Sequence, residues 1–195
     1  MTDPLTLDPK RTALVLIDLQ RGIMGRQTAP HAASDVLARS NELAKRFREL
    51  GAPVVLVNVS FSPTGEDRLN QPVDAPAMPP MAKGWDELSP DVGRDPSDIL
   101  VTKRQWGAFY GTALDLQLRR RKIDTIVIAG IATNFGVEST ARDGYERGYA
   151  MVFAEDAMAS SPGAHEFAVT TIFPRLGRVR SSEEILRALE GKPAR

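Results

Sequence analysis

The stretch IDTIVIAGIATNFGVESTARDGYERGYAMVFA, residues 123–154, decides the fold. Ile123 to Ala129 is the strongest apolar run of the chain and reads as a central strand buried on both faces. A glycine-containing turn follows, Gly130 to Gly136, and then a helix from about Asn134 to Arg147 that Gly148 ends. Tyr149 to Ala154 is apolar again. A strand, a helix of some fourteen residues and a second strand, with no hairpin signal between them, describe one parallel crossover unit.

The same alternation extends outward in both directions. Ala13 to Ile17 is a continuous apolar run ending at Asp18. Val36, Leu37, Ser40, Leu43, Ala44, Phe47 and Leu50 recur at helical spacing until Gly51, and Pro53 to Val59 forms the next strand. Between Ser62 and Pro96 the periodicity is lost. Half of the fourteen prolines of the chain fall there, which predicts a long ordered loop or lid at 62–96. Ile99 to Thr102 is a short strand leading into Lys103. Thr112 and Asp115 have capping-box spacing and open a helix to Arg121. After the central unit, a helix around His165 to Phe173 precedes a short strand near Arg178 to Arg180. Ser181 and Glu184 then start a C-terminal helix with Ile185, Leu186 and Leu189 as its apolar face. The expectation is one doubly wound, three-layer α/β/α domain spanning residues 1–195, with ligands at the carboxyl ends of its strands.

Composition narrows the function classes. The 195 residues include 25 basic and 25 acidic side chains, so no electrostatic case exists for nucleic acid or an anionic membrane. The basic run Arg119 to Lys122 reads as a solvated helix end favoured by the dipole. No apolar stretch approaches the ~18 residues of a membrane span. The N-terminal MTDPLTLDPK lacks a signal-peptide pattern, and a cytoplasmic location is the default expectation. The chain has no cysteine, which removes disulfides, thiolate catalysis and cysteine-ligated zinc together.

Three features fall at strand carboxyl ends: Asp18 after the first strand, Lys103 after the third, and the turn Gly130 to Gly136 after the fourth. Taken singly, an aspartate there is an ordinary cap or solvated turn. Desolvating a carboxylate at the end of an apolar strand costs several kcal/mol unless it is paired or protonated, and Lys103 is the available partner. Converging on one rim, the two become a candidate acid/base pair. Gly136, early in a helix, reads equally well as a helix-packing glycine or as part of an anion-binding set of helix-start amides.

The pieces LVLIDLQ (14–20), VTKRQWGAF (101–109), GIATNFGVESTARDGYERGY (130–149) and AEDAMAS (154–160) resemble, in order and spacing, the isochorismatase-like hydrolases. The resemblance implies a six-stranded parallel sheet flanked by helices and assembly as a homodimer or higher homo-oligomer. In the family's amidases an Asp, a Lys and a Cys form the catalytic triad. Asp18 and Lys103 match the first two, and Gly136 stands at the Cys position. The resemblance further implies a non-proline cis peptide between Ile131 and Ala132, with the amides of Ala132 and Gly136 facing the substrate oxygen. Isochorismatases proper, which cleave a vinyl ether, also carry glycine at that position and use the Asp as acid. They have a Tyr-Ala-His run where this chain reads Ala132, Thr133, Asn134, which argues against isochorismate itself as substrate.

The expected function is therefore cofactor-free hydrolysis of a small molecule, by a vinyl-ether-type or water-mediated route. Asp18 is the general acid or base, Lys103 controls its charge, and Gly136 contributes backbone. Ile131, Ala132, Phe135, Trp106, Phe109, Trp85 and Gln20 are the expected substrate-binding residues, Phe109 having core packing as its competing role. No metal is expected. The nicotinamidase zinc ligands are replaced by Asn58, Ser60 and Phe61, and the only histidines, His31 and His165, are far apart in sequence, His165 reading as a helix-surface or cap residue. The alternative is a family member without catalytic activity that serves as a small-molecule binding or regulatory protein.

Overall fold

The computed structural model describes residues 4–76 and 80–191; Pro79 of the proline-rich stretch and the first three residues lie outside the described residues. Six strands form one parallel sheet: β1 (Thr12–Ile17), β2 (Val54–Val59), β3 (Ile99–Lys103), β4 (Thr125–Ile131), β5 (Ala150–Ala159) and β6 (Gly177–Arg180). Their order across the sheet is β3-β2-β1-β4-β5-β6, all neighbours parallel. The winding reverses between β1 and β4, and a crevice opens at the carboxyl ends of strands at such a switch point.

Alternation along the central strands divides their side chains between two cores. Leu14 and Leu16 point to the layer of α2 (Ala33–Glu49) and α7 (Ser182–Leu189), where they meet Leu43, Phe47, Ile185 and Leu189. Ala13, Val15 and Ile17 point the other way, toward α3 (Leu114–Arg120) and α4 (Glu138–Glu146), among Leu114, Leu118, Val137 and Ala141. Every residue of β1 is buried, as its unbroken apolar run requires. Phe153 and Phe173 stack at 4.0 Å on the second side and fasten β5 to the segment after it.

The structure differs from the sequence reading in places with local causes. The helix expected at Asn134 begins as a wide π turn, Thr133–Val137, before continuing as α4. The segment around His165 is α5 (Ala164–Phe167), a second π turn and α6 (Phe173–Leu176). β5 does not stop at Ala154 but runs to Ala159. Glu155 and Asp156 interrupt its apolar run, yet Asp156 is accounted for by bonds from the amide and hydroxyl of Ser182, both at 2.7 Å. α3 starts at Leu114, whose amide is held by the Thr112 hydroxyl, and the Ser181–Glu184 capping box opens α7 as expected. A short helix, α1 (Arg21–Met24), had no sequence signal.

The loop 62–96 is tied down along its second half. Asn41 of α2 donates to the Asp91 carbonyl and accepts from the Gly93 amide. Arg48 grips Asp98 with two bonds of 2.9 Å, and the Asp98 carboxylate is almost wholly buried. No helix among the described residues is long and apolar enough to cross a membrane.

Gly130 is fixed by close approach. Its φ is +118°, and a Cβ there would lie 2.2 Å from the carbonyl oxygen of Ile17. Gly130→Ala forces β1 and β4 apart at the centre of the sheet, with an expected loss of about 3 kcal/mol or more in unfolding free energy, read as a lower denaturant midpoint.

Candidate active site

Asp18 follows β1 directly and has a left-handed backbone, φ 54°, a conformation uncommon for a residue with a side chain and concentrated at functional sites. Its amide donates to the Val57 carbonyl of β2, which holds the turn in place. Lys103 ends β3, two strands away. Two strand spacings are about 9.5 Å, a gap that needs a long side chain. The Lys103 stem passes over β2, and Nζ donates to Asp18 Oδ2 at 2.7 Å. Both residues are at most 4% exposed. The other oxygen, Asp18 Oδ1, is buried without a hydrogen-bond partner.

Gly136 closes the group from the β4 side. A Cβ on it would lie 2.8 Å from Ile17 Cγ2, 3.0 Å from Asp18 Oδ2 and 3.4 Å from Lys103 Nζ. The acid, the ammonium and the bare backbone are thus in mutual contact. The peptide bond Ile131–Ala132 is cis, as the resemblance implied. The Ala132 carbonyl accepts from the amides of Phe135 and Val137, and the Thr140 hydroxyl donates to the Gly136 carbonyl at 2.6 Å. Thr140 also accepts from the Ala108 amide, linking the turn to the loop after Lys103. That role has no sequence signature beyond a helical hydroxyl four residues after a carbonyl.

Burial pushes the Asp18 carboxyl up to about 6, against the opposing charge and hydrogen bond of Lys103. Oδ2 faces an ammonium, so a proton taken up by this group belongs on Oδ1.

The remaining expected site residues separate into those near the rim and those elsewhere. Trp106 and Phe135 pack edge to face at 5.0 Å and are 64% and 44% exposed. Trp85 stacks on Phe61 at 5.7 Å, and its Cβ lies over Gly22. The Ile131 side chain is buried in the α2-side core, leaving only its backbone to face a ligand. Two residues are packed into other work. Phe109 is a core residue, 4% exposed and stacked on Tyr149 at 5.7 Å. Gln20 is fully buried with its amide committed: Oε1 accepts from the Val59 amide, and Nε2 donates to the carbonyls of Val59 and Trp85. It is a post that ties the lid to β2. Asn58 and Ser60 do the same, bonding the Asp86 carbonyl and carboxylate. The lid segment from Trp85 to Leu88 is therefore fastened beside this chain's own Asp18.

The histidines also depart from expectation. His165 is buried, not at a helix surface, and its Nδ1 lies 2.9 Å from the Thr133 hydroxyl. His31 meets it edge-on, ring centres 5.9 Å apart. Burial, then the neighbouring His31, pulls His165 down to about 4. Sequence separation concealed this contact because the loop before α2 folds back onto the end of β5, where Ala29 and Ser160 form a bridge. Two open clefts of about 400 and 370 Å³ lie at the opposite, amino-terminal edge of the sheet, beside Arg11 and Asp124 and beside Tyr149 and Arg178. Neither touches the Asp18 group.

With this geometry in hand, comparison with known proteins is direct. The isochorismatase domain model matches residues 12–184. The chain is 52% identical over 187 residues to the isochorismatase family protein YecD of Escherichia coli O157:H7, covering 95% of this chain and 100% of that protein. It is 31% identical over 222 residues to the ureidoacrylate amidohydrolase RutB of Methylobacterium radiotolerans, covering 99% of this chain and 84% of that one. Among solved structures, an isochorismatase family protein from Burkholderia thailandensis superposes with a TM-score of 0.92 at 47% identity, covering 97% of this chain and 100% of that one. The chain belongs to the isochorismatase family, on its six-stranded α/β fold and without a cysteine.

Two measurements follow from the packing and charge of the group. Gly136→Ala must displace Ile17 or Asp18, with an expected cost of about 1–3 kcal/mol in a denaturant titration; Gly136→Cys has a larger side chain to place and costs at least as much. The folded-state pKa of Asp18 is raised above its unfolded value of 3.8, so its contribution to stability is fully present below about pH 4 and is lost as pH rises through 6. Relative to Asp18→Asn, which lacks this titration, the wild-type chain loses unfolding free energy across pH 4–6, by roughly 3 kcal/mol at the full shift.

Proposed function

We propose that the chain is a hydrolase for a small molecule that forms no covalent intermediate, with Asp18 as its general acid and Lys103 as the residue that sets and balances its charge. The observation that carries this reading is the division of labour on one carboxyl group: Oδ2 is engaged by Lys103 at 2.7 Å, while Oδ1 is buried and has no partner. A carboxyl poised near 6 is matched to proton transfer at neutral pH. Because the net effect of burial outweighs that of Lys103, the acid role is favoured over that of a base activating water.

Cleavage of an enol ether meets these constraints without a nucleophilic side chain. Oδ1 gives its proton to the terminal alkene carbon, and the π electrons form that C–H bond, leaving an oxocarbenium ion. Water adds to the ion and returns a proton to Asp18, and the hemiketal breaks its carbon–oxygen bond to give a carbonyl compound and an alcohol. Between these steps the Asp18 carboxylate is stabilised by Lys103. The amides of Ala132 and Gly136 are proposed to bind a substrate carboxylate or developing negative charge. Trp106, Phe135 and Trp85 are proposed as the apolar surface around it. An amide substrate like that in the name of RutB would require water to replace the thiolate. Homo-oligomeric assembly, implied by the resemblance, is carried as part of this proposal, and light scattering of the purified chain tests it.

A second reading, a non-catalytic binding protein, draws on the mutual satisfaction of Asp18 and Lys103, since two buried charges that pair with each other persist without any reaction. The test separates the two. Purified protein is assayed against a panel of small enol ethers, ureido compounds and carboxamides. Asp18→Asn is expected to lower kcat by about 10²–10⁴-fold while substrate affinity changes little. The wild-type rate should titrate near pH 6 and fall as Asp18 loses its proton. Undiminished turnover by Asp18→Asn sinks the proposal, and tight metabolite binding with no turnover across the panel selects the second reading.

A further inference from the structure

We infer that His31, Glu155 and His165 form a binding site for one divalent first-row transition metal ion, zinc being the best match. The site lies on β5, at its register shift against β4, and shares no residue with the Asp18 group. His31 comes from the loop before α2, Glu155 from β5 and His165 from α5. One ligand atom from each lies within 4.8 Å of the other two. A tetrahedral zinc ion with bonds of about 2.0–2.1 Å holds its ligands roughly 3.3 Å apart. Closure by about 1.5 Å on the widest edge completes the site, within reach of rotamer changes in His31 and Glu155, both only half-buried.

The chemistry of the three side chains supports a cation at their centre. Among the described residues the Glu155 carboxylate makes no hydrogen bond or ion pair, although it is half-buried between β5 neighbours. Arg39, a cation on this edge, is taken by Asp156, through the Asp156 carbonyl at 2.7 Å and its carboxylate at 3.6 Å. A partly desolvated carboxylate facing two imidazoles is costly alone and favourable around a metal. His165 is already oriented: Nδ1 faces the Thr133 hydroxyl at 2.9 Å, which leaves Nε2 to ligate. This outer hydrogen bond is the kind that fixes the ring and tautomer of a ligating histidine. Two imidazoles with one carboxylate favour zinc and its neighbours over magnesium or calcium, which prefer all-oxygen sites.

The position also gives the ion a structural consequence. Thr133 opens the π turn that carries Gly136 three residues later. A metal held by His165 would clamp the loop before α2, the middle of β5 and α5 together, and through Thr133 it would brace the turn behind the candidate active site. It takes no part in the proposed proton transfer.

The test uses the full chain, stripped with a chelator and titrated with zinc chloride against a chromophoric competitor, with thermal melting as an independent readout. The expected result is one zinc per chain and a raised melting temperature. Magnesium and calcium should bind at least tenfold more weakly. His31→Gln and Glu155→Gln, both at half-exposed positions, should each weaken zinc binding by at least about tenfold and reduce the thermal shift. These two variants avoid the buried His165, whose replacement risks misfolding. No saturable stoichiometric binding to the wild-type chain, or equal binding by both variants, overturns the inference.

Discussion

The ion pair between Lys103 and Asp18 is the constraint to which the rest of this structure conforms. Both groups are withdrawn from water, at a penalty of several kcal/mol per ion that a single hydrogen-bonded contact only partly returns. Apolar side chains of similar volume would serve the sheet as well or better. The pair also dictates geometry. A lysine must end β3, its stem must pass over β2, and Asp18 must take a left-handed turn to meet it. None of this improves the hydrophobic cores, so the arrangement argues for a role in which a buried, strained carboxyl group is itself useful.

The scaffold around the pair is stiff where it needs to be. The winding reverses beside β1, and the π turn after β4 brings Gly136 back over Ile17 and Asp18. Thr140 and Thr133 then anchor the two ends of that turn, one to the loop after Lys103 and the other to His165. On the opposite side, Gln20, Asn58 and Ser60 fasten the lid through backbone and carboxylate groups of Trp85 and Asp86. Polar side chains at the strand ends or just past them, joined by Thr140 of α4, thus do most of the positioning, while the apolar side chains of the strands supply the packing.

This division explains what could be read from the sequence. Runs such as Ala13 to Ile17 and Ile123 to Ala129 depend on local periodicity and burial on both faces, so strands and the winding pattern were legible. The six strands were read from pattern, whereas the cis bond came from the family resemblance. The meeting of Asp18, Lys103 and Gly136 was legible because each ends or follows a strand and strand ends converge. Gln20 and Phe109 are engaged elsewhere for opposite reasons. Gln20 stands two residues past Asp18 but spends its amide on backbone groups, and Phe109 shares a motif with Lys103 but turns inward onto Tyr149. The extension of β5 and the contact between His31 and His165 were invisible, because Asp156 and the loop before α2 find partners far along the chain.

Gly136 links these observations. Of the two meanings left open for it, packing is the one its contacts show. Its missing side chain is the space into which Ile17 and the Asp18 carboxylate settle. A thiol-bearing residue at 136 would press on Asp18 Oδ2, the oxygen that Lys103 holds, and would alter the balance of burial and charge on the carboxyl group. The absence of a side chain at 136 and the tight packing of Asp18 against Lys103 are therefore one structural fact.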